Sequence, residues 1–216
     1  MEVLSIGIIR VFSTDDQKVL NAHGNKIEAL YGFECINRAI GNQEKGIFDN
    51  ESEELAIPKI IELAKVFENE GVKAIAISCA ADPALEEVRK ILKIPVIGAG
   101  SSAAHLAKSI SINIGVLTIA NEVPDIIVEI LGPSLVSWRK PDGINNTADL
   151  LEDGAIEKSL DAAKQLIEDG ADTILFACTG YITIGFEKIL KDHLDVEVID
   201  PVAAEGNVIS FILKGD

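Results

Sequence analysis

Residues 72–79, Val-Lys-Ala-Ile-Ala-Ile-Ser-Cys, and residues 171–178, Ala-Asp-Thr-Ile-Leu-Phe-Ala-Cys, decide the fold that this sequence predicts. Each stretch is a short apolar run behind a glycine, Gly71 or Gly170, and each ends in a cysteine eight residues after that glycine. Short runs of Ile, Val, Leu and Ala are typical of buried parallel strands. The match between the two stretches predicts that the chain uses one structural unit twice.

The two halves continue in the same order on both sides of the cysteine strands. Strands at 5–9 and 113–117 open the halves, and a helical pattern fills the interval before each glycine. A further short strand follows each cysteine, at 94–98 in the first half and at 196–200 in the second. This alternation of strands and helices indicates an α/β fold.

We therefore expect two pseudo-symmetric three-layer α/β lobes with mainly parallel sheets and a cleft between them. Residues 1–100 together with 201–216 form the first predicted lobe, which carries Cys79. Residues 101–200 form the second predicted lobe, which carries Cys178. The predicted strands are 3–11, 33–40, 72–78, 95–98, 113–119, 173–177 and 197–199.

Three local predictions complete this outline. A last helix is predicted at 203–213 from its apolar spacing. The stretch 140–147, with a proline, a glycine and two asparagines, is predicted to be a surface loop. Asp82, which precedes a proline, is predicted to cap the helix that follows Cys79.

The composition argues against several classes of protein. A net charge of -16 is unfavourable for a nucleic-acid partner, because phosphate binding needs clustered Lys and Arg. No apolar run reaches the ~20 residues of a membrane-spanning helix, and residues 1–11 lack the basic start and cleavage site of a signal peptide. The 3 cysteines fit neither a disulfide framework nor a zinc site. We expect a cytoplasmic protein with reduced thiols and no metal, and a homo-oligomer, the common form of soluble assemblies.

The two matched cysteines are the candidate catalytic residues. Each follows a predicted parallel strand, and ligands of α/β sheets bind at the carboxyl ends of such strands. Facing lobes would carry Cys79 and Cys178 on opposite walls of one cleft. The helix N-terminus after each strand can stabilise a thiolate, whose ordinary pKa of ~8.5 lies near neutrality. Cys35 has no counterpart in the other half and is predicted to be a small core residue.

Two opposed thiols suit the racemisation of a carbon acid. This reaction removes a proton from one face of a carbon and returns a proton to the other face. Two acid–base groups can do so without either of them moving across the substrate. One thiol must be ionised and its partner protonated at the start, and the roles reverse with the direction of the reaction.

Four short motifs carry a resemblance to a known family. They are Ser-Cys-Ala-Ala-Asp-Pro-Ala-Leu at 78–85, Ile-Pro-Val-Ile-Gly at 94–98, Ala-Cys-Thr-Gly at 177–180 and Ile-Asp-Pro-Val-Ala-Ala at 199–204. Together they resemble the aspartate/glutamate/hydantoin racemase superfamily, and most of all its hydantoin racemase branch. The resemblance runs over nearly the whole chain.

The resemblance implies an isomerase that racemises a small carbon acid, foremost a 5-substituted hydantoin. It implies Cys79 and Cys178 as the acid–base pair, working without pyridoxal phosphate, metal or any other cofactor. It implies that Thr118 contacts the substrate and that Arg10 and Ser13 hold the equivalent place in the first lobe. The residues that follow the two cysteines are also expected to bind substrate, because their small side chains bring backbone N–H groups close to a ligand: Ala80, Ala81, Thr179 and Gly180.

Departures from the hydantoin branch leave other functions open. Residues 10–13, Arg-Val-Phe-Ser, differ from the Asn-Pro-Asn-Thr pattern common in that branch. The pair Cys178-Thr179 resembles aspartate and glutamate racemases, so an acidic amino acid is an alternative substrate. From another functional class, the alternative is a non-catalytic small-metabolite-binding protein whose cysteines are inert.

Overall fold

The computed structural model describes residues 4–215, and it confirms the predicted α/β class with two parallel sheets. The strands are β1 (Ser5–Arg10), β2 (Glu34–Ala39), β3 (Ile75–Ser78), β4 (Val96–Gly98), β5 (Ile114–Leu117), β6 (Leu135–Arg139), β7 (Thr173–Phe176) and β8 (Glu197–Ile199). The α-helices are α1 (Gln17–Tyr31), α2 (Asn50–Glu70), α3 (Leu85–Ile91), α4 (Ala99–Ile110), α5 (Asp125–Leu131), α6 (Ala155–Glu168), α7 (Gly180–Thr183), α8 (Phe186–His193) and α9 (Pro201–Lys214). Within residues 4–215, no helix has the length and apolar character needed to cross a membrane.

Both sheets contain parallel strands in the same order. The first sheet runs β2-β1-β3-β4 and the second runs β6-β5-β7-β8. Each strand of the second sheet thus corresponds to the strand four places earlier in the chain, so the repeat in the sequence is a repeat of topology. Strands β3, β5 and β7 are buried at every residue, which explains their Ile-, Leu- and Ala-rich sequences.

Helices α4 and α9 join the two lobes. Each follows the last strand of its sheet; α4 packs against α9, α5 and β7, whereas α9 packs against α4, α1 and β3. Ala104 and Ala107 on α4 and Ala204 on α9 are buried, and small side chains of this kind let neighbouring elements approach closely. The last helix therefore packs against α1 and β3 from the first half of the chain. The lobe boundaries stay a prediction, and their outermost residues, 1–3 and 216, lie outside the described residues.

Most predicted elements are found close to their expected positions. The strand predicted from Val3 begins at Ser5 in the structure, and its first predicted residue lies outside the described range. Helix α9 contains the predicted helix at 203–213, and the predicted loop at 140–147 is irregular.

Strand β6, on the edge of the second sheet, is missed by the sequence analysis. Its apolar residues Val136 and Trp138 are each 40% exposed, and the half-buried Ser137 lies between them. The strand therefore lacks the buried apolar run that identifies the central strands. Its position is fixed by pairing with β5.

Gly7 on β1 provides a test of the packing under the first sheet. A Cβ atom added there would lie 2.7 Å from ring atoms of Phe67 on α2. We expect Gly7→Ala to lower the free energy of unfolding by about 1–3 kcal/mol through overpacking, measured by urea denaturation. Gly41→Ala is the matched control, because nothing lies within 4 Å of the corresponding Cβ. Equal unfolding midpoints for the two variants would contradict the packing.

Candidate active site

The two matched cysteines lie at the carboxyl ends of equivalent strands. Cys79 directly follows β3, and Cys178 comes two residues after the end of β7. Both residues line one cleft of about 720 Å³. Because β3 belongs to one sheet and β7 to the other, each lobe contributes one thiol to the wall of the same cavity.

A backbone N–H two positions after each cysteine favours its thiolate. The Gly180 N–H donates to Sγ of Cys178 at 3.3 Å, and the Ala81 N–H lowers the pKa of Cys79. A side chain at Gly180 has no room, since its Cβ would lie 2.8 Å from Leu150 and 3.1 Å from Thr147. The internal repeat therefore extends to the backbone groups that act on the thiols.

Burial has the largest effect on the pKa of both thiols. It raises the pKa of Cys178 to about 11, although the Gly180 N–H, the Thr147 hydroxyl and the charge of Arg10 each act in the opposite direction. Burial raises the pKa of Cys79 further still, and the Ala81 N–H offsets only part of that effect. The backbone N–H groups after each cysteine favour the thiolate, but desolvation has the larger effect and raises the pKa of both thiols.

The predicted loop at 140–147 contributes to the site through its last residue. Thr147 lines the cleft, and its hydroxyl lowers the pKa of Cys178. Its backbone N–H donates to the carbonyl oxygen of Lys45, in the loop before α2, at 3.0 Å. The loops of the two lobes thus meet beside the second cysteine. Sequence analysis missed Thr147, because its bond to Lys45 joins positions about a hundred residues apart.

The charged side chains that line the cleft are carboxylates. Asp49, Glu51 and Glu53 come from the first lobe, and Glu122 and Asp125 come from the second. Among the lining residues within the described part of the chain, none is Lys, Arg or His. Burial raises the pKa of Glu53, and the nearby charge of Asp125 raises it further. The local field therefore disfavours anionic ligands.

Three of the residues implied to bind substrate line the cleft: Ala80, Ala81 and Thr179. Gly180 lies behind them, where it contacts the Cys178 sulfur. Thr118 is fully buried, and its Oγ1 accepts a hydrogen bond from the Ala120 N–H at 3.2 Å.

Arg10 and Ser13 lie outside the cleft lining and use their polar atoms elsewhere. The Arg10 guanidinium is buried and donates to the carbonyl oxygens of Val19 and Leu20 at 2.9 and 3.0 Å. Ser13 donates to the Ile40 carbonyl oxygen at 2.5 Å and accepts from the Gln43 N–H at 2.8 Å. The role implied for both residues by the resemblance stays a prediction.

Asp82 caps a different helix from the one expected. Its carboxylate accepts the N–H groups of Gly100 and Ser101, at 2.7 and 2.8 Å, and so caps α4 rather than the helix that follows Cys79. The backbone of Asp82 is left-handed, with φ of 53°, as is that of Ala84, with φ of 59°. Strained backbone of this kind is often found at functional sites. The cap holds the turn after Cys79 against the start of α4.

The structure offers no cluster for a metal within residues 4–215. No group of three or more His, Cys, Asp or Glu side chains there has the arrangement to hold a metal ion. The third cysteine, Cys35, lies half-buried on β2, and burial raises the pKa of its thiol to about 12.

Comparison with known proteins assigns this chain to a family. A family model described as Asp/Glu/Hydantoin racemase matches residues 27–205. The chain belongs to this family. The match confirms the resemblance of the four motifs and the expected enzyme class, an isomerase of the racemase type.

Individual relatives agree with the family assignment, and a solved structure shares the fold. The hydantoin racemase of Paenarthrobacter aurescens is 32% identical over 176 residues, which cover 78% of this chain and 72% of that protein. A hydantoin racemase of a Pseudomonas species is 30% identical over 158 residues, covering 70% of this chain and 63% of that protein. The allantoin racemase from Klebsiella pneumoniae has the same fold, with a TM-score of 0.85 and 22% identity over 98% of this chain and 89% of its own.

The different pKa values of the thiols predict the order in which they react. Iodoacetamide modifies thiolates, so alkylation of both cysteines should rise with pH, by about tenfold per unit below the pKa. Cys178, with a pKa of about 11, should be modified before Cys79, whose pKa is higher. Mass spectrometry of the Cys35→Ser variant, which removes the third thiol, gives both rates between pH 7 and 10. Faster modification of Cys79, or rates independent of pH, would contradict this order.

Proposed function

We propose that this protein racemises 5-substituted hydantoins by proton transfer between Cys79 and Cys178. The observation that carries the proposal is the placement of the two thiols. They lie on equivalent turns of the two lobes and line one cleft. A binding protein has no need for this symmetric pair, whereas a two-base racemase requires it.

The proposed reaction conserves protons over one turnover. The thiolate of one cysteine takes the proton from C5 of the hydantoin and becomes a thiol. The negative charge passes to the adjacent carbonyl oxygen as an enolate. The thiol of the other cysteine then gives its proton to the opposite face of C5 and becomes the thiolate. The product leaves inverted, and the two cysteines have exchanged roles.

Cys178 is the better candidate for the first base. Its pKa is the lower of the two, because the Thr147 hydroxyl, the Gly180 N–H and the charge of Arg10 favour its ionised form. The two pKa values belong to a coupled pair, since each thiol raises the cost of ionising the other.

The charge of the cleft supports a hydantoin as the substrate. A hydantoin ring is uncharged near neutral pH, whereas aspartate and glutamate carry two carboxylates. The charged residues that line the cleft are Glu and Asp, and their negative charge repels a carboxylate ligand. The pair Cys178-Thr179 resembles the acidic amino-acid racemases in sequence. The Thr179 hydroxyl, however, donates to the Ser78 carbonyl oxygen at 3.1 Å. The relatives named hydantoin racemase support the same choice.

A small-metabolite-binding protein is the second candidate, and one observation favours it. Burial raises the pKa of both thiols, as it does for the inert cysteines of a binding protein. The alkylation experiment and the turnover experiment below separate the two candidates. Catalysis without a cofactor, a cytoplasmic location and homo-oligomeric assembly remain part of the proposal as predictions from the sequence.

Substitution of each cysteine tests the proposed chemistry. With one enantiomer of a 5-substituted hydantoin in D₂O, the wild-type protein should exchange the C5 proton and abolish optical rotation, faster than a protein-free blank. Cys79→Ser and Cys178→Ser should each lower the racemisation rate by about 10²-fold or more, because a serine hydroxyl is a poor acid–base group. NMR and polarimetry give the two rates.

Cys35→Ser is the matched control for these variants, since Cys35 lies on β2 away from the cleft. It should racemise the hydantoin at the wild-type rate. Wild-type activity in both Cys79→Ser and Cys178→Ser would rule out the two-thiol mechanism.

Thermal unfolding tests the substrate class independently of turnover. A hydantoin at 100 times its Kd should stabilise the folded state by about 2.7 kcal/mol and raise the Tm. Glutamate and aspartate at the same concentration should leave the Tm unchanged, because the carboxylates of the cleft repel them. A larger shift with glutamate than with the hydantoin would transfer the proposal to an acidic amino acid.

A further inference from the structure

A chain of buried polar side chains lies directly behind the two cysteine turns. At its centre, the Ser78 hydroxyl donates to Oε1 of Glu205 on α9 at 2.6 Å. Nδ1 of His23 on α1 lies 2.8 Å from the same Ser78 oxygen. Ser78, His23 and Glu205 are all shielded from solvent, and Ser78 is the residue immediately before Cys79.

The chain continues from His23 into the second lobe. Nε2 of His23 lies 3.0 Å from Oγ1 of Thr183 on α7, the short helix that follows Cys178. Nη2 of Arg10, at the end of β1, donates to the same Thr183 oxygen at 3.4 Å. Thr183 therefore connects two buried side chains of the first lobe to the helix beside the second cysteine.

A second bond crosses between the lobes at the cysteines themselves. The Thr179 hydroxyl donates to the Ser78 carbonyl oxygen at 3.1 Å. Thr179 follows Cys178 and Ser78 precedes Cys79, so this bond joins the nearest neighbours of the two thiols. The two turns are thus tied together twice, directly through Thr179 and less directly through Thr183 and His23.

Stability alone gives no reason for such a chain. Buried polar groups lose hydration, and a well-packed apolar core of the same shape is often equally stable or more so. The chain also leaves Oε2 of Glu205 without a hydrogen-bond partner inside the described structure. Burial lowers the pKa of His23 and raises that of Glu205, so both side chains favour their neutral forms. Directional hydrogen bonds fix the relative positions of their partners more closely than an apolar core does.

We propose that the side chains of Arg10, Thr183, His23, Ser78 and Glu205 form a positioning device that holds the two cysteine turns in register across the cleft. None of these five side chains lines the cleft. They fix the distance and direction from each thiol to C5, which matters because a ~1 Å displacement can cost ~10² in rate. This inference rests on the proposed two-thiol racemisation.

Thr183→Val is the variant that tests the chain. It keeps the shape of the side chain but removes the hydroxyl shared by His23 and Arg10. Thr183→Ser retains the hydroxyl and serves as the rescue variant. Thr173→Val, at the other end of β7 from the cysteine, removes a buried threonine hydroxyl that contacts Asp172 and controls for general destabilisation.

The deciding readout is the ratio of C5 proton exchange to inversion for one hydantoin enantiomer in D₂O. If the partner thiol is misplaced, the first cysteine keeps the abstracted proton until that S–H exchanges with D₂O. It then returns a deuteron to the face from which it took the proton, so exchange continues without inversion. Thr183→Val should lower the kcat for inversion by about tenfold or more, leave KM within about twofold, and raise the ratio of exchange to inversion. Thr183→Ser and Thr173→Val should keep the wild-type ratio. An unchanged ratio in Thr183→Val would overturn the inference.

A second readout separates failure of this inference from failure of the proposed function. If the wild-type protein neither exchanges nor inverts any hydantoin, the proposed function fails, and alkylation then tests the chain without turnover. The ratio of Cys178 to Cys79 alkylation rates should change by about threefold or more in Thr183→Val, equivalent to ~0.5 pKa unit between the thiols. It should stay constant in Thr183→Ser and Thr173→Val. A constant ratio in all three variants would overturn the inference whatever the substrate is.

Discussion

Parallel pairing of the central strands is the constraint on which the site depends. Parallel strands need crossover connections, so every turn that leaves a strand of one sheet lies at the same edge. Cys79 and Cys178 occupy those turns after β3 and β7. Because the two sheets repeat one strand order, their edges present equivalent turns to a shared cleft. The internal repeat thus produces two nearly equivalent walls.

Burial has the largest effect on the acid–base behaviour of the two thiols in the cleft. The desolvation that raises the pKa of both thiols keeps them protonated near neutral pH. A thiolate formed in such surroundings is a correspondingly strong base toward carbon. The Gly180 N–H, the Thr147 hydroxyl and the charge of Arg10 each lower the pKa of Cys178, which favours its ionisation over that of Cys79. The symmetric fold therefore carries an electrostatic asymmetry between its two cysteines.

The polar chain behind the turns gives Arg10 a different context from the one the resemblance implied. Its guanidinium is buried, bonded to two backbone carbonyl oxygens, and near enough to Cys178 to affect its pKa. Thr179 likewise uses its hydroxyl between the lobes rather than leaving it free in the cleft. The polar groups of both residues are thus engaged in hydrogen bonds within the protein, and directional contacts of this kind fix positions more closely than apolar packing does.

The sequence by itself determined the α/β class, seven of the eight strands, the repeat and the candidate cysteines, because these features depend on local periodicity and on order along the chain. It missed β6, whose exposed Val136 and Trp138 give no buried run. Only the tertiary structure decided the surroundings of the cysteines. Three examples join residues from different elements of the chain. Asp82 caps α4, Thr147 lowers the pKa of Cys178, and the Ser78 hydroxyl donates to Glu205. Such contacts depend on how the lobes and helices meet, and no local pattern records that arrangement.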